Sequence, residues 1–137
     1  MSENGRPARP TVRSDVDEAP EESWTDEVRG SVRFRTLLDG EVTPTDSVTA
    51  GVSELPPGGW LGRHRHEPAE VYHVLSGVGI LEIGDEEHHV RGGATVYIPG
   101  NEWHAARNPG TEPFRVFYAF AVDSFAEVRY EFADEDP

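Results

Sequence analysis

From Ser31 onward, apolar and polar residues alternate in short runs separated by turn-forming residues. Ser31–Leu38 reads V-R-F-R-T-L through its middle, the period-two pattern of a strand with one buried face. Further runs rich in Val, Ile, Tyr and Phe follow at Ser47–Leu55, Glu70–Leu75, Val78–Ile83 and His88–Arg91. Thr95–Ile98, Trp103–Asn108, Phe114–Ala121 and Ala126–Phe132 complete the series. Asp39-Gly40, Pro56-Pro57-Gly58-Gly59, Ser76-Gly77, Gly84-Asp85, Gly92-Gly93 and Pro99-Gly100 punctuate them. No stretch sustains a period near 3.6, so the pattern predicts an all-β sandwich or barrel. Phe114–Ala121 is apolar on both faces, which predicts burial by the interior on one side and by a second layer or subunit on the other. Residues 1–25 carry almost no apolar residues and predict a disordered, acidic and Pro-rich arm, with Trp24 anchoring its end. The folded domain is expected over 26–132, with an acidic tail at 133–137.

The 137 residues suffice for one domain with its own core. Net charge is -14, and all 12 basic residues are Arg. Such acidity argues against nucleic acid and anionic membranes as partners. With no cysteine there is no disulfide, thiolate metal site or Cys nucleophile. No apolar run approaches the length of a membrane span, and the polar N-terminus lacks a signal-peptide core, so a cytoplasmic location is expected.

The chemistry-bearing residues concentrate between Gly58 and Asn108. His64 and His66 are two apart, so they share a face if the segment is extended. Glu70 follows on the next strand, and His104 comes after a Pro99-Gly100-Asn101 turn. Trp60, Tyr72 and Val74 are expected on the same interior face; Arg63, Arg65, Val71, His73 and Leu75 are expected to point away. Imidazole nitrogens with one carboxylate suit iron, manganese, nickel, cobalt, copper or zinc.

This segment resembles the cupin superfamily. Gly58, His64, His66, Glu70 and Gly77 fall at the spacing of its first motif, and Gly93, Pro99, His104 and Asn108 at that of its second. One position departs: Asn101 stands where the motif has Gly, and Asn is the residue next best able to take a positive φ. The resemblance implies a double-stranded β-helix, a jelly-roll barrel of two antiparallel sheets. It also implies a divalent metal held by His64, His66, Glu70 and His104. A homodimer is implied too, with Ser31–Leu38 and Phe114–Ala121 as the expected contact strands.

Around that centre, Tyr72 is expected either to fill the barrel or to act as acid or base. Trp60 and Tyr118, with Phe120 and Tyr97, are expected near the barrel mouth. Arg107 and Arg115 are expected on the surface, and Glu102 beside His104 either solvated or orienting it. The expected function is a metal-dependent enzyme on a small organic substrate, with a dioxygenase preferred. The alternatives are a lyase, isomerase or decarboxylase, or a non-catalytic binding cupin. The run H-R-H-E-P-A-E-V-Y is also similar to cupin-type dimethylsulfoniopropionate lyases, which implies Tyr72 as the proton-abstracting base.

Overall fold

The computed structural model describes residues 9–134. Eleven strands make one continuous antiparallel sheet that curls into a barrel: β1 (Glu21–Asp26), β2 (Gly30–Leu38), β3 (Thr49–Leu55), β4 (Trp60–Arg65), β5 (Glu70–Ser76), β6 (Val78–Ile83), β7 (Glu86–Arg91), β8 (Thr95–Ile98), β9 (His104–Arg107), β10 (Phe114–Phe120) and β11 (Glu131–Phe132). The strand order is β7-β6-β9-β4-β2-β3-β10-β5-β8, with β1 added to β2 and β11 to β4. The sheet has two halves, β7-β6-β9-β4 and β2-β3-β10-β5-β8, joined by the single β2–β4 pair Gly30↔Leu61. Gly30 has φ of 104°, and a Cβ there would overlap the Trp60 carbonyl, so the junction requires glycine.

Both halves feed one core. Leu81 and Ala106 come from the first; Val74, Ile98, Phe114, Val116 and Phe120 come from the second. Burying each large side chain contributes about 1.5–3 kcal/mol. Along β10, Phe114, Val116, Tyr118 and Phe120 point inward, while Arg115, Phe117 and Ala119 are half-buried on the outer face.

Three expectations are corrected. The arm expected to be disordered through residue 25 carries a 3-10 turn at Val16–Glu18 and strand β1. There, backbone pairing with β2 along six positions and the packing of a single half-buried ring, Trp24, substitute for an apolar run. The rest of that arm, residues 1–8, and 135–137 of the tail lie outside the described residues. The run Ala126–Phe132 is not a strand over most of its length: Phe125–Glu127 is a 3-10 turn capped by Ser124, and only Glu131–Phe132 pairs.

Trp60 does not share the face of His64. The β4–β9 register shifts between Leu61 and His64, and this irregularity puts Leu61 on the interior and leaves Trp60 exposed. β2 and β10 lie inside the sheet with neighbours on both sides, so a contact with a second subunit through them would use a face of the sheet rather than an edge. Among the described residues, no helix is long and apolar enough to cross a membrane.

Candidate metal centre

His64 and His104 are cross-strand partners in the β4–β9 pair, and His66 directly follows β4. Glu70 opens β5, in the other half of the sheet, so the four residues meet inside the barrel. All four are at most 3% exposed. Each of the three histidines brings one ring nitrogen within 4.8 Å of the others. Glu70 Oε1 adjoins two of them, 3.2 Å from His66 Nε2 and 3.6 Å from His104 Nε2.

The opposite ring nitrogens fix the tautomers. His64 Nδ1 lies 2.6 Å from the Gly62 carbonyl, His66 Nδ1 2.8 Å from the Pro68 carbonyl, and His104 Nδ1 2.8 Å from the Glu102 carbonyl. A carbonyl only accepts, so each Nδ1 carries the hydrogen and each Nε2 is left with a lone pair. His66 Nε2, His104 Nε2 and Glu70 Oε1 are buried without a hydrogen-bond partner. Acceptors converging on one point with no donor repel one another, and a divalent cation resolves that repulsion. The donor set therefore fits a divalent transition metal, although it does not select among them.

Burial, with the neighbouring His104, holds His64 well below the ordinary imidazole range, so it stays neutral and able to ligate. Burial pulls His66 the same way, but the Glu70 carboxylate 3.2 Å from its Nε2 outweighs burial and raises His66.

The turn before His104 is built as the motif requires. Asn101 has φ of 63°, and its amide donates to the His66 carbonyl at 2.8 Å, tying the two ligand-bearing segments together. Asn108 is buried; its Nδ2 donates to the carbonyls of Leu55 and Glu112, and its Oδ1 accepts from the Gly110 amide. Glu102 does orient His104, but through its backbone carbonyl rather than its carboxylate.

Beside the four residues is a small cavity of about 40 Å³. Glu70, Tyr72 and Tyr118 line it, as do Trp24, Phe34, Phe125 and Tyr130. Tyr130 lies against the ring of His64 at 5.2 Å and that of His66 at 5.1 Å between centroids. Burial first, and then the charge of Glu70, raise Tyr72 and Tyr130 well above the usual phenol range. Burial likewise raises Tyr118, against the opposing pull of the Thr36 side chain.

Of the residues expected at the mouth, Tyr118 lines this cavity, and Phe120 is buried beneath His66 at 5.2 Å. Tyr97 is exposed on the outside, and Trp60 lines a surface groove instead. His73 points away and meets Thr95 Oγ1 at 2.7 Å, while Arg107 and Arg115 pair with surface carboxylates. Sequence reasoning missed Phe34, Phe125 and Tyr130 as cavity walls. The only signal available was an aromatic in each of several segments that carry no motif.

A family model described as "Cupin domain" matches residues 51–120. The chain is 38% identical over 133 residues to dimethylsulfoniopropionate lyase DddW of Ruegeria pomeroyi, covering 96% of this chain and 86% of that protein. It is 28% identical over 83 residues to the oxalate-binding protein of Thermotoga maritima, covering 60% and 69%. Among solved structures, the polyketide cyclase RemF of Streptomyces resistomycificus superposes with a TM-score of 0.75 at 23% identity, covering 93% of this chain and 90% of that one. At that identity the likeness concerns the fold.

Proposed function

The chain belongs to the cupin family, and on that premise we propose that it is a metal-dependent lyase acting on dimethylsulfoniopropionate. The observation that carries this reading is the likeness to the Ruegeria pomeroyi lyase along almost the whole chain. It supports the lyase alternative over the dioxygenase that the ligand set alone favours. The cavity walls support it as well. A dianion such as oxalate calls for a second cationic contact, and no Arg or His side chain lines the cavity. A zwitterion with one carboxylate and one methylated sulfonium suits walls that are largely aromatic.

His64, His66, Glu70 and His104 would hold the metal through their inward atoms. When bound, a divalent metal would supply positive charge that draws electrons from a substrate carboxylate and offsets the charge of Glu70 beside Tyr72. Tyr72 shares the inner face of β5 with Glu70, and its ring centroid is 6.4 Å from that of His104. In this reading Tyr72 is the base as its phenolate, the form that the metal's charge would favour against burial and Glu70, and its oxygen takes the proton from the carbon next to the carboxylate. The electron pair of that C–H bond becomes the new C=C bond, and the neighbouring C–S bond breaks. Dimethyl sulfide leaves with the C–S electron pair, and acrylate remains. The carbonyls of Gly62, Pro68 and Glu102 hold the imidazoles in register throughout.

The test is proton NMR of dimethylsulfoniopropionate with the metal-loaded protein, run in parallel with an oxygen electrode. The reading predicts acrylate in step with substrate loss and no oxygen uptake. Oxygen uptake coupled to a different product would return the dioxygenase to the front, and an unchanged spectrum would remove the lyase.

A further inference from the structure

Four aromatic side chains around the cavity form a closed circuit. Trp24 meets Phe34 edge-on at 5.3 Å between centroids, and Phe34 meets Phe125 at 6.1 Å. Phe125 meets Tyr130 at 5.8 Å, and Tyr130 returns to Trp24 at 5.1 Å with planes 83° apart. All four line the cavity. They come from β1, β2, a 3-10 turn and the segment before β11, and all fall outside the family-matched residues 51–120. The circuit is joined to the metal centre through Tyr130, which touches the rings of His64 and His66.

Trp24 stands steeply to Phe34 and Tyr130, while the Phe34–Phe125 and Phe125–Tyr130 planes are tilted by 36° and 46°. Aromatic rings around a common space can offer it π faces, and a π face attracts a cation. The cavity supplies no competing positive charge: its only formally charged lining residue is Glu70, at the metal end. A methylated onium head donates no hydrogen bond, so aromatic faces recognise it and amides or carboxylates contribute little direction. Trp24 is already matched to a cation in this fold, with the Arg29 guanidinium 5.1 Å from its ring centroid, and Arg29 is not among the cavity walls.

We propose that Trp24, Phe34, Phe125 and Tyr130 form an aromatic box that receives the methylated onium end of the substrate and sets specificity for a cationic head. The proposal rests on the lyase reading for the identity of the substrate, but its test does not use turnover. The probes are 3-(trimethylammonio)propionate and its uncharged isostere 4,4-dimethylpentanoate, which share a carboxylate and a shape. Their affinities for the metal-loaded full chain are measured by titration calorimetry.

The native protein is expected to prefer the onium about tenfold, equivalent to ~1.4 kcal/mol. Trp24→Leu is expected to erase most of that preference while leaving the affinity for the uncharged isostere within about twofold. Trp24→Phe, which keeps a ring, is expected to retain part of it and guards against a folding defect in the leucine variant. Equal affinity of the native protein for the two probes would overturn the box. So would a Trp24→Leu variant that weakens both probes alike while Trp24→Phe restores both alike. A native protein that prefers the onium yet cleaves no dimethylsulfoniopropionate would keep the box and sink the lyase. Cleavage without the preference would do the reverse.

Discussion

Each imidazole of the centre is held by a backbone carbonyl two residues away in its own segment, and this determines how single substitutions act. The carbonyls of Gly62, Pro68 and Glu102 set the tautomers before any cation arrives, so the inward nitrogens are poised without help from side chains. Replacing His64 or His104 with Ala removes one ligand and leaves the strands intact. Elemental analysis should show metal content falling at least tenfold, with an unchanged β-sheet signal in far-UV circular dichroism. Tyr72→Phe tests another point. It should retain metal and fold while kcat for dimethylsulfoniopropionate falls by about 10²–10⁴, the scale of a lost general base. The sequence makes the ligands legible because the side chains themselves carry the chemistry at fixed spacing. It hides the orienting partners, since a backbone carbonyl looks the same at every position.

Strands and turns were legible wherever alternation or a turn residue marked them, and illegible where pairing alone made the structure. Residues 21–26 read as polar, yet they form β1 because β2 supplies their hydrogen bonds and Trp24 supplies their one inward anchor. The shift between Leu61 and His64 could not be read either, because strict alternation puts Trp60 on the interior face. The aromatic box was hidden for a related reason: its four rings come from four separate segments, and only closure of the barrel brings them together. At the junction of the two halves, Gly30→Ala combines a positive φ with overlap onto the Trp60 carbonyl. It should cost more than about 2 kcal/mol, read as a lower midpoint in urea unfolding. Asn108→Ala strips three hydrogen bonds from a buried corner and should cost about 3 kcal/mol by the same measurement.

The fold-scale consequence comes from where the ligands stand. His64, His66 and His104 belong to the half containing β4 and β9; Glu70 belongs to the half containing β5. A metal held by all four would tie together two halves that share a single backbone pair, in addition to relieving the acceptor repulsion at the centre. Chelation should therefore lower the melting temperature by about 5–10 °C, and restoring the metal should reverse it. The same atoms carry both stability and reaction, so the most direct test is dimethyl sulfide in the headspace over dimethylsulfoniopropionate. It is measured with the untagged protein as loaded, after chelation, and after remetallation. The account predicts release that stops on chelation and returns with one metal per chain. No release from protein carrying one metal per chain, or release that survives complete chelation, would contradict it.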